Sequence, residues 1–285
     1  MNAVTANKTY LLTIALICLA ACAPESGVEA QRFDVLIVNG LVYDGSLEPG
    51  RVTNIAIVDE RIVSTNAPPD AEAELIIDAS NRVVVPGFID PHTHVLDDIL
   101  DPARNNVASH LAQAVTTVFV GNDGGGLSNR TEMVTTMQTQ GIGANVGFFA
   151  GHNQVRESVM GLEDRPPTPA ELAEMQDLVA EEMRAGALGL STGLFYKPGS
   201  YATTEEVIEL AKIAARYDGI YDSHIRDESS YNIGLLGSVK EVIRIGREAE
   251  IPVHIAHIKA LGRDVWGQSG DLIALIDTAR ETGLR

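Results

Sequence analysis

Two rhythms of apolar and polar positions divide the chain. Near the N-terminus, the short β-branched runs Asp34-Val-Leu-Ile-Val38, Asn54-Ile-Ala-Ile-Val58 and Leu75-Ile-Ile77 are punctuated by Gly40, Asp44-Gly45 and Pro68-Pro69. This pattern predicts a small antiparallel β piece over residues 33–82. From residue 83 the rhythm changes. Short apolar strands at 83–90, 116–121, 144–150, 187–191, 219–224 and 252–257 alternate with amphipathic stretches at 103–114, 130–140, 169–184, 203–216, 232–250 and 271–282. Strands alternating with helices argue for a parallel sheet with helical crossovers. Thr203 sets a capping hydroxyl ahead of Glu205 and Glu206, and Gly283 sits just past the last helix, as helix ends require. Polar residues gather at the carboxyl ends of successive strands, the face on which (β/α) barrels assemble chemistry. The expected fold is α/β, a (β/α)8 TIM-type barrel truncated after about six units, over residues 83–285.

The first residues read differently. Lys8 is followed by an apolar run over residues 10–19, too short to span a bilayer and suited to a signal-peptide core. It runs into Leu19-Ala-Ala-Cys22, which resembles the lipobox of bacterial lipoproteins, where the Cys becomes the lipid-bearing first residue. An ordinary secretory signal cut after Ala21, with Cys22 a bystander thiol, is the alternative. The expectation is a signal peptide over residues 1–21, a linker over 22–32, and a lipid-anchored protein on the periplasmic side of a bacterial envelope. Ala23 and Pro24 after the Cys favour the outer membrane.

Composition narrows the function. Among 285 residues, 39 acids against 21 bases give a net charge of −18, which repels phosphate backbones and anionic lipid heads, so no nucleic-acid partner is expected. Membrane contact is expected only through the anchor. Both Cys residues fall within the first 22 positions, excluding a disulfide framework.

Candidate chemistry opens at Pro86-Gly-Phe-Ile-Asp-Pro-His-Thr-His94. In a strand, i and i+2 point the same way, so His92 and His94 project together from its end. Two imidazoles on one face can clamp a divalent metal such as zinc; a pair of ordinary polar residues at a loop mouth is the plain alternative. Context favours the clamp, because His224 and His257 close two later strands.

Pro86–His94 resembles the first-strand signature of the amidohydrolase superfamily, and the likeness is greater to its N-acyl-D-amino-acid deacylase (D-aminoacylase) branch. Further segments carry that likeness: Thr116-Thr-Val-Phe-Val-Gly-Asn-Asp123, Gly151-His-Asn-Gln-Val-Arg-Glu-Ser-Val-Met-Gly161, Gly189-Leu-Ser-Thr-Gly-Leu-Phe-Tyr196, His224-Ile-Arg-Asp-Glu228 and Ala256-His-Ile-Lys259. The resemblance implies a barrel holding one or two zinc or other divalent ions. His92 and His94 would bind one ion, His224 and His257 the other, and Asp123 would be shared. It also implies that residues before the barrel form half of a small β-sandwich. The chain departs from the branch at Asp123, where the well-known deacylases carry Cys. A carboxylate can bridge two metals through its two oxygens, although oxygen is a harder ligand than thiolate. A turn residue opening the loop Gly124-Gly-Gly126 is the alternative for Asp123. Residues 187–194 contain no Lys, which disfavours the carboxylated-Lys bridge of other superfamily members.

Other residues hold weaker claims. Lys259 points toward the mouth and could pair with a substrate carboxylate; Tyr196 and Arg226 could hold substrate, or brace a loop or an acidic neighbour such as Asp227 or Glu228. His254 is expected in the barrel wall, on the face opposite His257, His110 in a helix, and His152 in a loop with a structural hydrogen bond. The resemblance implies that a metal-bound Asp ending the eighth strand moves the proton to the leaving amine. No catalytic residue is then expected before Arg285, and the 285 residues by themselves are expected to be an inactive fragment. The expected function is metal-dependent hydrolysis of a small-molecule linear amide, an N-acyl-D-amino acid. Cyclic amides (imidase or hydantoinase substrates) and a non-catalytic solute-binding envelope lipoprotein are the alternatives.

Overall fold

The computed structural model describes residues 32–127 and 129–285, so the leader and lipobox expected over residues 1–22 lie outside the described residues. The chain divides into two units, one ending at Pro86 and one spanning Gly87–Arg285.

In the first unit, β1 (Phe33–Val42) pairs antiparallel with β2 (Arg51–Val58), and β2 antiparallel with β3 (Arg61–Ser64). The chain then crosses to the other side of β1, where β4 (Ala73–Asp78) and β5 (Val83–Val84) both pair parallel to it. The sheet is therefore mixed, not antiparallel throughout as expected: the Pro68-Pro69 segment belongs to a crossover, not a hairpin. Phe33, Leu36, Ala56 and Ala67 form its small buried core.

The strand expected over residues 83–90 is split. Val83 and Val84 lengthen the ladder of β1, whereas β6 (Phe88–Asp90) opens the second unit. Pro86 between them has no N–H to continue a ladder, which accounts for the break.

In the second unit, β6, β7 (Val115–Val120) and β8 (Asn145–Phe148) form one parallel sheet. A second contains β9 (Ala150–Gly151), β10 (Gly189–Gly193), β11 (Ile220–His224) and β12 (Val253–Ile255), in that order and all parallel. The single strand expected over residues 144–150 is thus two pieces, β8 paired with β7 and β9 with β10. The 103–114 helix is also replaced, by α1 (Leu96–Leu100) and α2 (Ala108–Leu111). Asp101, ahead of Pro102, is extended and ends α1, as the residue before proline prefers, and Val107 adopts a left-handed conformation ahead of α2.

The remaining crossovers follow the sequence pattern. Helix α3 (Arg130–Gln140) precedes an unexpected α4 (His152–Met160), which is followed by α5 (Pro169–Arg184). Thr168 and Glu171 cap α5 reciprocally, with Pro169 in its first turn, satisfying backbone donors that the helix leaves open. In α6 (Thr204–Ala215), the Glu206 N–H donates to the Thr203 hydroxyl as expected. Helix α7 (Leu235–Ala249) buries Leu235, Val239, Val242, Ile245 and Ala249, the spacing of a single apolar stripe. These side chains join Met175, Val179, Leu190, Leu210 and Tyr221 in the main core. Helix α8 (Ser269–Glu281) closes the unit, with Gly283 at φ +95° just beyond it. Both β10 and β11 are buried along nearly their whole length, as strands covered on both faces must be.

Candidate metal centre

The carboxyl ends of the parallel strands bring the five expected ligands together. His92 and His94 follow β6, Asp123 follows β7, His224 closes β11 and His257 lies just past β12. Their ligand atoms fall into two triples, His92–His94–Asp123 and Asp123–His224–His257, each with all atoms within 4.8 Å of one another. Asp123 is common to both. One of its oxygens faces His92 Nε2 at 3.3 Å and His224 Nδ1 at 3.4 Å; the other faces His94 Nε2 at 3.4 Å. Edge-to-face ring contacts link His92 to His94 and to His257, and His224 to His257.

Backbone geometry aims these groups. Asp123 has φ +55° and His257 φ +28°, left-handed values that Asp adopts readily and His less so. Asp123 is therefore a turn residue, and its side chain still enters the histidine cluster. The Ser191 hydroxyl donates to Gly121 O and accepts from Gly124 N–H, fastening both ends of that turn to β10. At Gly193 a Cβ would collide with the carbonyl oxygen of Asp123, so glycine is what lets β10 pass this close.

The electrostatics of the cluster suit a cation. Burial alone would lower the basicity of His92, but the carboxylates of Asp123 and Asp222 reverse this and raise its pKa to about 9. Burial alone would raise the Asp123 carboxyl; the facing His224 and His92 hold it well below the usual carboxylate range instead. Burial and the nearby Lys259 ammonium lower His257. Meanwhile His92 Nε2, His224 Nε2 and Asp123 Oδ1 are buried and, although His92 Nε2 and Asp123 Oδ1 face each other, none makes a well-aligned hydrogen bond, which is rare for buried polar atoms. Imidazole nitrogens and carboxylate oxygens so arranged fit zinc or a similar divalent ion.

The other expected residues separate. Tyr196 is at the rim, its hydroxyl 3.4 Å from His224 Nδ1. Lys259 is half-exposed there, its Nζ 2.6 Å from Glu228 and 2.8 Å from His257 Nδ1. Arg226 is not brought to the site: its guanidinium is buried against Glu241 on α7 and also donates to Ser200 O. Its partner is neither Asp227 nor Glu228. Asp227 instead accepts backbone N–H groups from Ser229, Asn232 and Gly234. His110 lies in α2 as expected. His152 opens α4, not a loop, but its expected structural bond is present, to Glu206 at 2.9 Å; Arg156 holds the other Glu206 oxygen.

His254 corrects the strand-parity expectation. Strand β12 stops at Ile255, and the positive φ of His257 breaks the alternation. His254 is therefore not a wall residue but bonds Asp222 at 2.6 Å. Sequence reasoning also passed over Asp222 and Asn122, and named Glu228 only as a neighbour to be braced; all three are buried and touch expected ligands. Only one signal pointed to Asp222: it stands two positions before His224 on a strand, hence on the same face.

Comparison with known proteins fits this geometry. Residues 75–268 match the pattern of the amidohydrolase family. The chain belongs to that family. It is 35% identical to the D-aminoacylase of Alcaligenes xylosoxydans xylosoxydans over 274 residues, which are 88% of this chain and 56% of that one. The crystal structure of an N-acyl-D-glutamate deacylase from Bordetella bronchiseptica, complexed with zinc and a phosphonate mimic of the tetrahedral intermediate, superposes with a TM-score of 0.79 at 32% identity, covering 90% of this chain and 57% of that one. A D-aminoacylase structure described by its binuclear metal centre gives a TM-score of 0.79 at 30% identity, over 88% of this chain and 56% of that one. The amidohydrolase chain thus has a TIM-barrel type α/β fold and spans about half the length of the curated relatives it matches.

Proposed function

We propose that this chain carries the metal centre of a deacylase that hydrolyses N-acyl-D-amino acids to a carboxylic acid and a D-amino acid. The observation that carries the reading is Asp123 between four imidazoles, with unpartnered buried nitrogen and oxygen atoms turned inward. His92, His94 and Asp123 would hold one zinc, and Asp123, His224 and His257 a second. Bound zinc lowers the pKa of a water to about 7 and polarises a carbonyl oxygen. Around it the residues have separable tasks. His92 and His224, both buried, fix the ligand frame, whereas Tyr196 and Lys259 line the rim. Lys259 is the cation placed to meet a substrate carboxylate, and Glu228 limits its reach by pairing with it. The Leu19-Ala-Ala-Cys22 motif supports a lipid-anchored place in the bacterial envelope. Residues 33–82 are proposed as one part of a small β-sandwich.

Metal analysis and ligand binding test the reading. Protein purified without chelator is expected to hold zinc, and the zinc-loaded form to bind an N-acetyl-D-amino acid more tightly than its L-enantiomer in calorimetry. A protein without divalent metal, whose ligand binding is indifferent to His92→Ala, would be a solute binder and not a hydrolase.

A further inference from the structure

His92 and His94 leave the same strand end, yet only His92 has a carboxylate behind it. Asp222 is completely buried. Its Oδ2 accepts from His92 Nδ1 at 3.0 Å and from the Asn122 amide at 3.1 Å, and its Oδ1 accepts from His254 Nδ1 at 2.6 Å. The ladder explains the meeting. Asp222 and His254 are Cα partners between β11 and β12, so both side chains enter the barrel interior at one level, below His224. Asn122, next to Asp123 in sequence, also donates to Pro91 O, tying the carboxylate to the segments that carry His92 and Asp123.

We propose that Asp222 is a positioning residue for the metal-facing nitrogen of His92, with His254 clamping its second oxygen. This rests on the metal reading of the site. An ionised carboxylate only accepts hydrogen bonds, so His92 must present Nδ1–H to Asp222 and turn Nε2 toward Asp123. That Nε2 is buried and makes no well-aligned hydrogen bond. The bond from His254 and the amide of Asn122 stop the carboxylate from rotating, and with it the imidazole plane. Among the described residues His94 has no such support; Asp123 is the only carboxylate that pairs with it. The first triple therefore owes its preformed shape to Asp222, and the second does not.

The test titrates the 285-residue chain with zinc in chelator buffers and assigns its binding steps with His92→Ala and His224→Ala. Asp222→Ala is expected to weaken the step that His92→Ala removes by about 10–100-fold, the usual scale for a ligand's outer partner, and to leave the other within about threefold. Asp222→Asn, which keeps an acceptor oxygen without the charge, should fall between, and His254→Gln should lose less than Asp222→Ala. Thermal unfolding of the metal-free variants reads stability separately. Unchanged affinity in Asp222→Ala overturns the proposal, as does an equal loss at both steps alongside a lowered metal-free Tm, which marks a merely structural carboxylate. Should Asp222→Ala not fold, Asp222→Asn and His254→Gln decide: wild-type affinity at the His92 step in both refutes it. A wild-type chain that takes up no zinc defeats the metal reading and this inference together, whereas two wild-type steps untouched by Asp222 variants defeat the inference alone.

Discussion

The inner wall and the outer rim of the candidate site hold the same residue types in different states. His92 and His224 have side chains 8% and 4% exposed, while His94 and His257 are at 67% and 35%. Each candidate triple thus combines one buried imidazole with one exposed imidazole around the shared Asp123. A buried ligand has already lost its rotamer freedom on folding, so binding an ion costs it little more. An exposed ligand pays that entropy at binding but can adjust to the ion's size. The candidate site therefore pairs a half held by burial with a half whose side chains are free to adjust to an ion.

The sharpest way to break this comparison is to remove what the halves share. Asp123→Ala is expected to cost both binding steps more than about 100-fold in zinc affinity, beyond the range typical of outer partners, as read by chelator competition. Retention of either step at wild-type strength would mean the triples are independent. Next in size is the contrast within the first triple. His92→Ala should lower its affinity several-fold further than His94→Ala; equal losses would show that preorganisation contributes nothing.

Proton competition tests the environment of His92 in the rigid half. The pKa of His92 is raised to about 9 in the metal-free protein, so below that pH an ion must displace a proton from Nε2. Affinity at this step should rise by up to about tenfold per pH unit between 7 and 9 and then level off. His257, whose pKa is lowered, adds no such slope over that range. An affinity at the His92 step that stays flat from pH 7 to pH 9 would contradict the environment assigned to His92.

The rigid half was only partly legible in the sequence. The strand–helix alternation and the convergence of the five candidate ligands could be read because period-2 spacing and lone strand-end histidines are local signals. Asp222, Asn122 and Glu228 could not, since their meaning depends on neighbours from other strands, and Asp222 faces His254 only through the register of β11 with β12. Helix α4 was hidden for a related reason. Its buried face includes His152, Asn153 and Arg156, so polar residues occupy positions where a hydrophobic stripe would have announced it. His257 defeated parity because one positive φ reverses the side-chain direction that a regular strand imposes.

Gly193 carries a consequence that reaches beyond its own strand. It has no side chain to offer any ion, yet its bare backbone is what the Asp123 carbonyl leans against. Even alanine in its place would shove the one carboxylate on which both triples converge. A single methyl group on β10 would thus disturb both candidate triples at once.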